Sequence, residues 1–113
     1  MPFINAKLSC SLSAEQQEAL KQSFGKSMEL IGKSESWLMV DIQQGCNLYF
    51  QGNKNSDSAI ISVSLLGNAS KDQYANMTHY LCNQINLCTN ISPDRIYVKY
   101  EEVDNWGWNF NNF

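Results

Sequence analysis

The sequence has little charge, few prolines and a single histidine, and these shortages narrow the classes of protein to consider. Charged residues make up 17% of the 113 residues, against the roughly 25% that is typical of globular domains. Eight basic residues against eleven acidic ones give a net charge of -3, so a cationic surface for nucleic acid or an anionic membrane is not expected. No run of about 18 apolar residues occurs, so no membrane-spanning helix is predicted.

A disulfide framework and a metal site are not predicted either. The four cysteines, Cys10, Cys46, Cys82 and Cys88, match no CxxC or zinc-binding spacing, and His79 has no neighbouring ligand set. The N-terminal residues lack a basic region followed by an apolar stretch, so no secretory signal is predicted. We therefore expect a cytoplasmic protein with reduced thiols and no bound metal.

The chain length fits one domain over residues 1–113, and 43% hydrophobic residues are sufficient for a core. A domain of this size buries only about two-thirds of the surface that its unfolded chain exposes. Association with further copies of the chain would therefore add useful burial.

Two segments carry the same helix-initiating pattern, 57 residues apart. Residues 13–16 and 70–73 both read S-x-x-Q, the capping box in which serine accepts from a backbone amide and glutamine reaches back. Apolar residues then recur at helical spacing: Leu20, Phe24, Met28 and Ile31 in the first helix, and Met77, Leu81, Ile85 and Cys88 in the second. His79 lies nearly opposite the second stripe, so we expect it to be exposed.

Segments with the alternation typical of strands flank both helices, at residues 3–8, 37–42, 59–66 and 95–100. The chain therefore reads as two β-α-β halves. Such units predict an α/β (α+β) fold with a four-stranded mixed sheet and two helices on one face. The uncovered sheet face is expected to be apolar and to find a partner in another copy.

No Ser-His-Asp or Cys-His arrangement, Walker loop or dinucleotide-binding glycine motif occurs. The one unusual candidate for chemistry is Pro2. If Met1 is removed, Pro2 becomes an N-terminal secondary amine, and α-amino groups titrate near 7.7–8.0 in model peptides. Burial or a nearby cation would lower that pKa further, so a neutral amine could act as a general base.

Several short segments together resemble the macrophage migration inhibitory factor family of the tautomerase superfamily. The resemblance covers the whole chain, in the family's order, and ends at Phe113. The segments are Pro2-Phe3-Ile4, Ile31-Gly32-Lys33, Phe50-Gln51-Gly52, Leu65-Leu66-Gly67, Ile91-Ser92-Pro93-Asp94-Arg95-Ile96-Tyr97 and Asn105-Trp106-Gly107-Trp108-Asn109. The block from Ile91 to Tyr97 is the most specific of them.

The resemblance implies a homotrimer of β-α-β-β-α-β subunits whose sheets surround a central channel, with active sites at the subunit interfaces. It also implies keto-enol tautomerisation of phenylpyruvate-like or dopachrome-like compounds without a cofactor. The expected small-molecule partner is therefore an aromatic 2-oxo acid.

Residue roles follow from the same resemblance. Pro2 is expected to be the catalytic base, Lys33 to hold the substrate carboxylate, and the Leu66 backbone amide to add a hydrogen bond. Tyr97 is expected to come from the neighbouring subunit. An apolar slot for the substrate ring would be lined by Trp37, Trp108 and Phe113.

The chain departs from the family pattern in three places. Residues 58–61 replace the CxxC pair of the mammalian members, so a thiol-disulfide role is not supported. Lys99 stands where the family has an asparagine that binds polar substrate atoms. Trp106 replaces a smaller apolar residue and would narrow the pocket. Lys99 and Trp106 therefore bear on substrate preference and rate.

Two other functions remain open. One is a secreted cytokine mimic that binds a receptor protein and keeps little tautomerase activity, since the family includes members released without a signal peptide. The other is a trimeric structural domain without activity. Lys99 and Trp106 are the features that would favour either alternative over the enzyme.

Overall fold

The computed structural model describes residues 1–113 and contains one main sheet with two helices packed on it. The strands are β1 (Pro2–Leu8), β2 (Met39–Gln43), β3 (Ala59–Leu66) and β4 (Ile96–Val103), followed by a short hairpin of β5 (Gly107–Trp108) and β6 (Asn111–Asn112). The helices are α1 (Ala14–Ser27) and α2 (Lys71–Thr89). Neither helix has the length and apolar character needed to cross a membrane.

The main sheet has the strand order β2-β1-β3-β4. β1 runs parallel to β2 and antiparallel to β3, and β3 runs parallel to β4. Each β-α-β half therefore supplies one parallel strand pair, and the halves join at the centre of the sheet. This is the predicted four-stranded mixed sheet with two helices on one face.

The core lies between the sheet and the helices. Every second residue of β1 and β3 is buried, beginning with Pro2 and Ala59. The predicted apolar stripes come from α1, the 3-10 segment Met28–Ile31 that follows it, and α2. Their residues Leu20, Phe24, Met28, Ile31, Met77, Leu81 and Ile85 are all at most 2% exposed. Cys88 is half-buried and His79 is exposed, as the spacing predicts for the histidine.

Both helices begin at the predicted capping boxes. The Ser13 and Ser70 side chains each accept a hydrogen bond from the backbone amide three residues later, and the side-chain oxygen of the glutamine at that position accepts one from the backbone amide of the serine. Each box satisfies two of the amides that a helix start leaves without partners. The two halves therefore share their helix start in structure as well as in sequence.

Several predicted boundaries shift because turns occupy the ends of strands. Trp37, predicted in a strand, lies in a 3-10 turn at Glu35–Trp37, and Arg95 lies in another at Pro93–Arg95. β4 continues to Val103, three residues beyond the prediction. The C-terminal β5-β6 hairpin was not predicted, because two-residue strands are too short to show alternation.

The uncovered sheet face is not the apolar surface that the sequence analysis expected. Its central cross-strand row consists of Asp41, Asn5, Ser62 and Lys99. The Asn5 side-chain amide donates to the Asp41 carboxylate at 3.0 Å. The alternate residues of each strand share this face, and pairing register aligns four of the polar ones in a single row.

We expect Ser70→Ala to lower the free energy of unfolding by about 1 kcal/mol, since it removes the acceptor for the Gln73 amide. Ser92→Ala is the matched control, because Ser92 precedes a 3-10 turn without making a side-chain capping bond. Urea denaturation followed by circular dichroism measures both. An equal loss of stability in the two variants would contradict the assigned role of the cap.

Candidate active site

A cleft of about 700 Å³ lies at the end of the sheet where β1 begins, and Pro2 is among its lining residues. One cross-strand row of the uncovered face lines it: Met39 on β2, Phe3 on β1, Ser64 on β3 and Glu101 on β4. This row changes from apolar side chains at one end to a hydroxyl and a carboxylate at the other. The cleft therefore combines a polar end and an apolar end.

All three tryptophans of the chain, Trp37, Trp106 and Trp108, line this cleft. The Trp37 and Trp108 rings meet edge-on, with centroids 4.9 Å apart and an interplanar angle of 83°. Phe113 packs against both, at 5.9 Å from Trp37 and 6.0 Å from Trp108. Such pairs favour a fixed geometry, and the cluster offers aromatic surface to a planar ligand.

The C-terminal hairpin brings these aromatics together. The Phe113 amide donates to the Trp106 carbonyl at 3.0 Å, which closes the hairpin onto its own start. Trp37 reaches the cluster from the 3-10 turn that precedes β2. Trp37 and Trp108 remain 45% and 55% exposed, so their rings are available to a ligand.

Pro2 is buried at the first position of β1. Met1, the residue before it, lies close to Lys33 and the Leu66 amide, the other polar groups that were predicted for the site. The Leu66 amide donates to the Met1 carbonyl at 3.0 Å. The Lys33 Nζ donates to the Leu66 carbonyl at 3.2 Å. Met1, Lys33 and Leu66 therefore meet beside Pro2. The Met1 carbonyl accepts from the Leu66 amide, which the resemblance implies would donate to the substrate.

The electrostatic environment of the N-terminus favours a neutral amine. Burial lowers the pKa of the Met1 amine, and the positive charge of Lys33 lowers it further. Both effects disfavour the protonated form. Removal of Met1 would expose the Pro2 nitrogen one residue further along the chain, in the same neighbourhood of Lys33 and Leu66.

The left-handed conformation of Gly32 determines where the following residue, Lys33, lies. Gly32 ends the first helical segment with φ of +68°, a conformation that other residues adopt only with strain. The Lys33 amide then donates back to the Met28 carbonyl at 2.9 Å. This reversal directs the chain after α1 toward the end of β3, where the Lys33 side chain meets Leu66.

Leu66 and Phe113 contact residues that line the cleft, and Lys33 contacts Leu66, but none of the three lines it. Two further predicted site residues lie elsewhere on the subunit. Tyr97 and Lys99 are exposed on β4, on cross-strand rows that pair with Ile60 and Ser62. Rows on one face are about 6.6 Å apart along a strand, so Tyr97 lies two rows away from Glu101 and the cleft. Neither Tyr97 nor Lys99 lines the cleft of its own subunit.

Tyr97 belongs instead to a second aromatic group. Its ring meets Phe50 edge-on at a centroid distance of 5.1 Å, and the Arg95 guanidinium lies 5.4 Å from the Phe50 centroid. Arg95 also donates to the side chain and carbonyl of Asn53, and to Ser58. Phe50 and Asn53 bridge each other across a tight turn. Arg95 thus holds the 50–53 turn against Tyr97.

The residues of the cleft row, Phe3, Met39, Ser64 and Glu101, were not predicted as site residues. A strand pattern shows which residues share a face, not which residues of neighbouring strands stand opposite one another, and Glu101 lies beyond the predicted end of its strand. The available signal was Ser64, a polar residue at an alternate position of a strand whose buried positions are all apolar. Pairing register brings the Ser64 and Glu101 side chains within 3.1 Å.

The cysteines are free thiols separated from the cleft, and none of them lines it. Burial raises the pKa of the Cys82 and Cys88 thiols, which disfavours reactive thiolates. No three His, Cys, Asp or Glu side chains come close enough together to hold a metal ion.

Comparison with known proteins identifies the family. The family profile described as "Macrophage migration inhibitory factor (MIF)" matches residues 1–112. The mouse protein named macrophage migration inhibitory factor is 30% identical over 84 residues, which covers 73% of this chain and 72% of the relative.

Solved structures agree with that match along the full chain. The crystal structure of Leishmania major MIF2 superposes with a TM-score of 0.91 at 29% identity, covering 100% of this chain and 97% of that one. The Prochlorococcus marinus homologue superposes with a TM-score of 0.88 at 29% identity, covering 98% of each chain. The chain therefore belongs to the macrophage migration inhibitory factor family, whose fold it shares from the first strand to the C-terminal hairpin.

Proposed function

We propose that this protein is a cofactor-free keto-enol tautomerase, an isomerase that acts on phenylpyruvate-like or dopachrome-like compounds. Pro2, exposed as the N-terminus by removal of Met1, is the catalytic base. The observation that carries the proposal is the position of Pro2 in a cleft lined by three indoles, beside Lys33 and the Leu66 amide. Family membership supports the same class of chemistry.

Removal of Met1 has two consequences at this position. It creates the secondary amine of Pro2, and it frees the Leu66 amide, which donates to the Met1 carbonyl in the unprocessed chain. A free backbone amide at the edge of an apolar cleft is a ready donor to an oxygen of the substrate. Processing thus generates the base and vacates a hydrogen-bond donor in one step.

The reaction requires one proton to move on carbon and one on oxygen. In the keto-to-enol direction, the neutral Pro2 nitrogen takes a proton from the carbon beside the ketone. The electron pair of the broken C–H bond forms the carbon–carbon double bond of the enol, and the π pair of the carbonyl moves to its oxygen, which takes a proton from water. In the reverse direction, the protonated Pro2 returns its proton to carbon, and the enol oxygen loses one.

The substrate fits the two kinds of surface that meet in the cleft. A carboxylate is held by the Lys33 ammonium, which has donors to spare beyond its bond to the Leu66 carbonyl. The aromatic ring lies against Trp37, Trp106 and Trp108, with Phe113 supporting two of them. Burial of ring surface contributes about 25 cal/mol per Å².

The active form in this proposal is a homotrimer with sites at the subunit interfaces. The support within the subunit is the separation of Tyr97 and Lys99 from the cleft, since only another copy can bring them to it. Both edge strands, β2 and β4, have an unpaired side available to a neighbouring copy. Lys99 would then add a second cation near the substrate carboxylate.

A second candidate function is receptor binding, with secretion and little catalysis. Relatives of this chain are named for an effect on macrophage migration. An exposed apolar contact is available in Phe110, whose side chain lies entirely in solvent at the tip of the C-terminal hairpin. Receptor binding that persists in Pro2→Gly would separate this function from catalysis.

We expect Pro2→Gly to lower kcat/KM for phenylpyruvate tautomerisation by about 100-fold or more, because a positioned general base contributes at least that much. Protein that retains Met1 should be as slow, since its Pro2 nitrogen is in a peptide bond. Ultraviolet absorption of the enol follows the reaction, and mass spectrometry establishes the N-terminus of each sample. Equal rates in the three proteins would rule out the N-terminal base.

We expect Lys33→Gln to shift the acidic limb of the kcat/KM profile to higher pH. The Lys33 charge lowers the pKa of the N-terminal amine, so its removal raises that pKa, and the base becomes neutral only at higher pH. Lys71→Gln, at the exposed start of α2, is the matched control. An unchanged limb in Lys33→Gln would show that Lys33 does not act on the base.

A further inference from the structure

The cleft contains a single charged side chain, and that side chain is acidic. Glu101 is the only Asp, Glu, Lys or Arg among the lining residues. Its carboxylate accepts a hydrogen bond from the Ser64 hydroxyl at 3.1 Å. No ion pair neutralises it, since the only ion pair of the structure joins Lys21 and Glu18.

Glu101 retains acceptor capacity that a ligand can use. An ionised carboxylate accepts at about four lone-pair positions and donates at none. The Ser64 hydroxyl occupies one of these positions, and it is the only hydrogen-bond partner of the Glu101 carboxylate within the chain. A ligand group that faces Glu101 therefore needs a donor, and a negatively charged group there would be repelled.

Pairing register places this carboxylate away from the apolar end of the cleft. Glu101 stands opposite Ser64, Ser64 stands opposite Phe3, and Phe3 stands opposite Met39. Neighbouring strands are about 4.8 Å apart, so the row extends across the whole sheet. A ligand lying along it meets apolar side chains at one end and an acceptor at the other.

Two polar positions of opposite preference therefore lie at the cleft. Lys33 and the Leu66 amide, which meet next to the lining residue Met1, attract an anion, whereas Glu101 within the lining repels one. An aryl 2-oxo acid is held in one orientation when its carboxylate meets Lys33 and the far side of its ring meets Glu101. A hydroxyl on that side of the ring completes the match.

We propose that Glu101, supported by Ser64, is a specificity-determining residue that favours aromatic ligands carrying a ring hydroxyl and excludes those carrying a second anion on the ring. The catalytic part of this inference rests on the proposed tautomerase function, but the binding part does not. A hydrogen bond to a charged group contributes about 1.5–3 kcal/mol, which corresponds to a preference of about tenfold or more.

The binding test uses the three cleft tryptophans as the probe. Their fluorescence reports dissociation constants for 3-(4-hydroxyphenyl)propionate, 3-phenylpropionate and the ring-carboxylated analogue with processed protein. We expect the hydroxylated acid to bind about tenfold more tightly than the unsubstituted one, and the dianion to bind most weakly. Glu101→Gln should reduce the preference severalfold and improve binding of the dianion. Glu15→Gln, on the exposed face of α1, is the matched control.

The catalytic test compares kcat/KM for 4-hydroxyphenylpyruvate and phenylpyruvate in the same variants and in Ser64→Ala. We expect Glu101→Gln to lower the ratio of the two constants, whatever its effect on the absolute rate. A ratio equal to that of the unaltered protein, together with unchanged binding preferences, would overturn the inference. Selective binding without turnover of any substrate would instead support Glu101 and contradict the proposed tautomerase.

Discussion

The register between β1 and β3 is the constraint on which the rest of the structure depends. Pro2 stands opposite Leu65, and Phe3 stands opposite Ser64. Because side chains alternate between the faces of a sheet, a slip of one residue would turn every β1 side chain to the other face. Pro2 would leave the core side, and Phe3 would leave the cleft. The same pairing brings the N-terminus to the end of β3, where Leu66 and Lys33 meet it.

The two β-α-β halves share their helix caps and apolar stripes, but the segments that follow the two helices lead to different parts of the molecule. Both helices begin at a serine capping box, and both carry an apolar stripe that packs against the sheet. The C-terminal ends of the two helices differ. A 3-10 segment and the left-handed Gly32 follow α1, whereas the left-handed Asn90 ends α2. The segment after α1 leads to Lys33 and the cleft. The segment after α2 leads to the Pro93–Arg95 turn, which anchors the 50–53 turn and Tyr97 at a distance from the cleft.

The predicted site residues form two groups that are separated on the subunit, and this separation bears on how the proposed trimer would be built. Pro2, Trp37, Trp106 and Trp108 share one cleft, while Tyr97 and Lys99 lie on the open sheet face away from it. The burial expected from trimer formation would not come from an apolar sheet face, because the central row of that face is polar. In the proposed trimer, the exposed strand edges and the aromatic groups would supply the contacts.

The elements that could be predicted from the sequence are those whose signal lies within a short stretch of chain. The capping boxes at Ser13 and Ser70, the helical stripes and the strand at residues 59–66 were predicted because each depends on spacing within a few turns of chain. The family and the residues of its motifs were identified because short segments with specific side chains keep their order along the chain. Trp37 was misplaced in a strand because alternation does not distinguish a strand from the turn before it.

Which residues face one another across the sheet follows from the folded arrangement of the strands. The Ser64–Glu101 pair, the contact between Met1 and Leu66, and the alignment of Asp41, Asn5, Ser62 and Lys99 in one row all depend on pairing between strands distant in sequence. No local pattern encodes that register, since it is set jointly by the buried faces of four strands. The row that lines the cleft, including its one carboxylate, therefore became visible only when those strands were aligned.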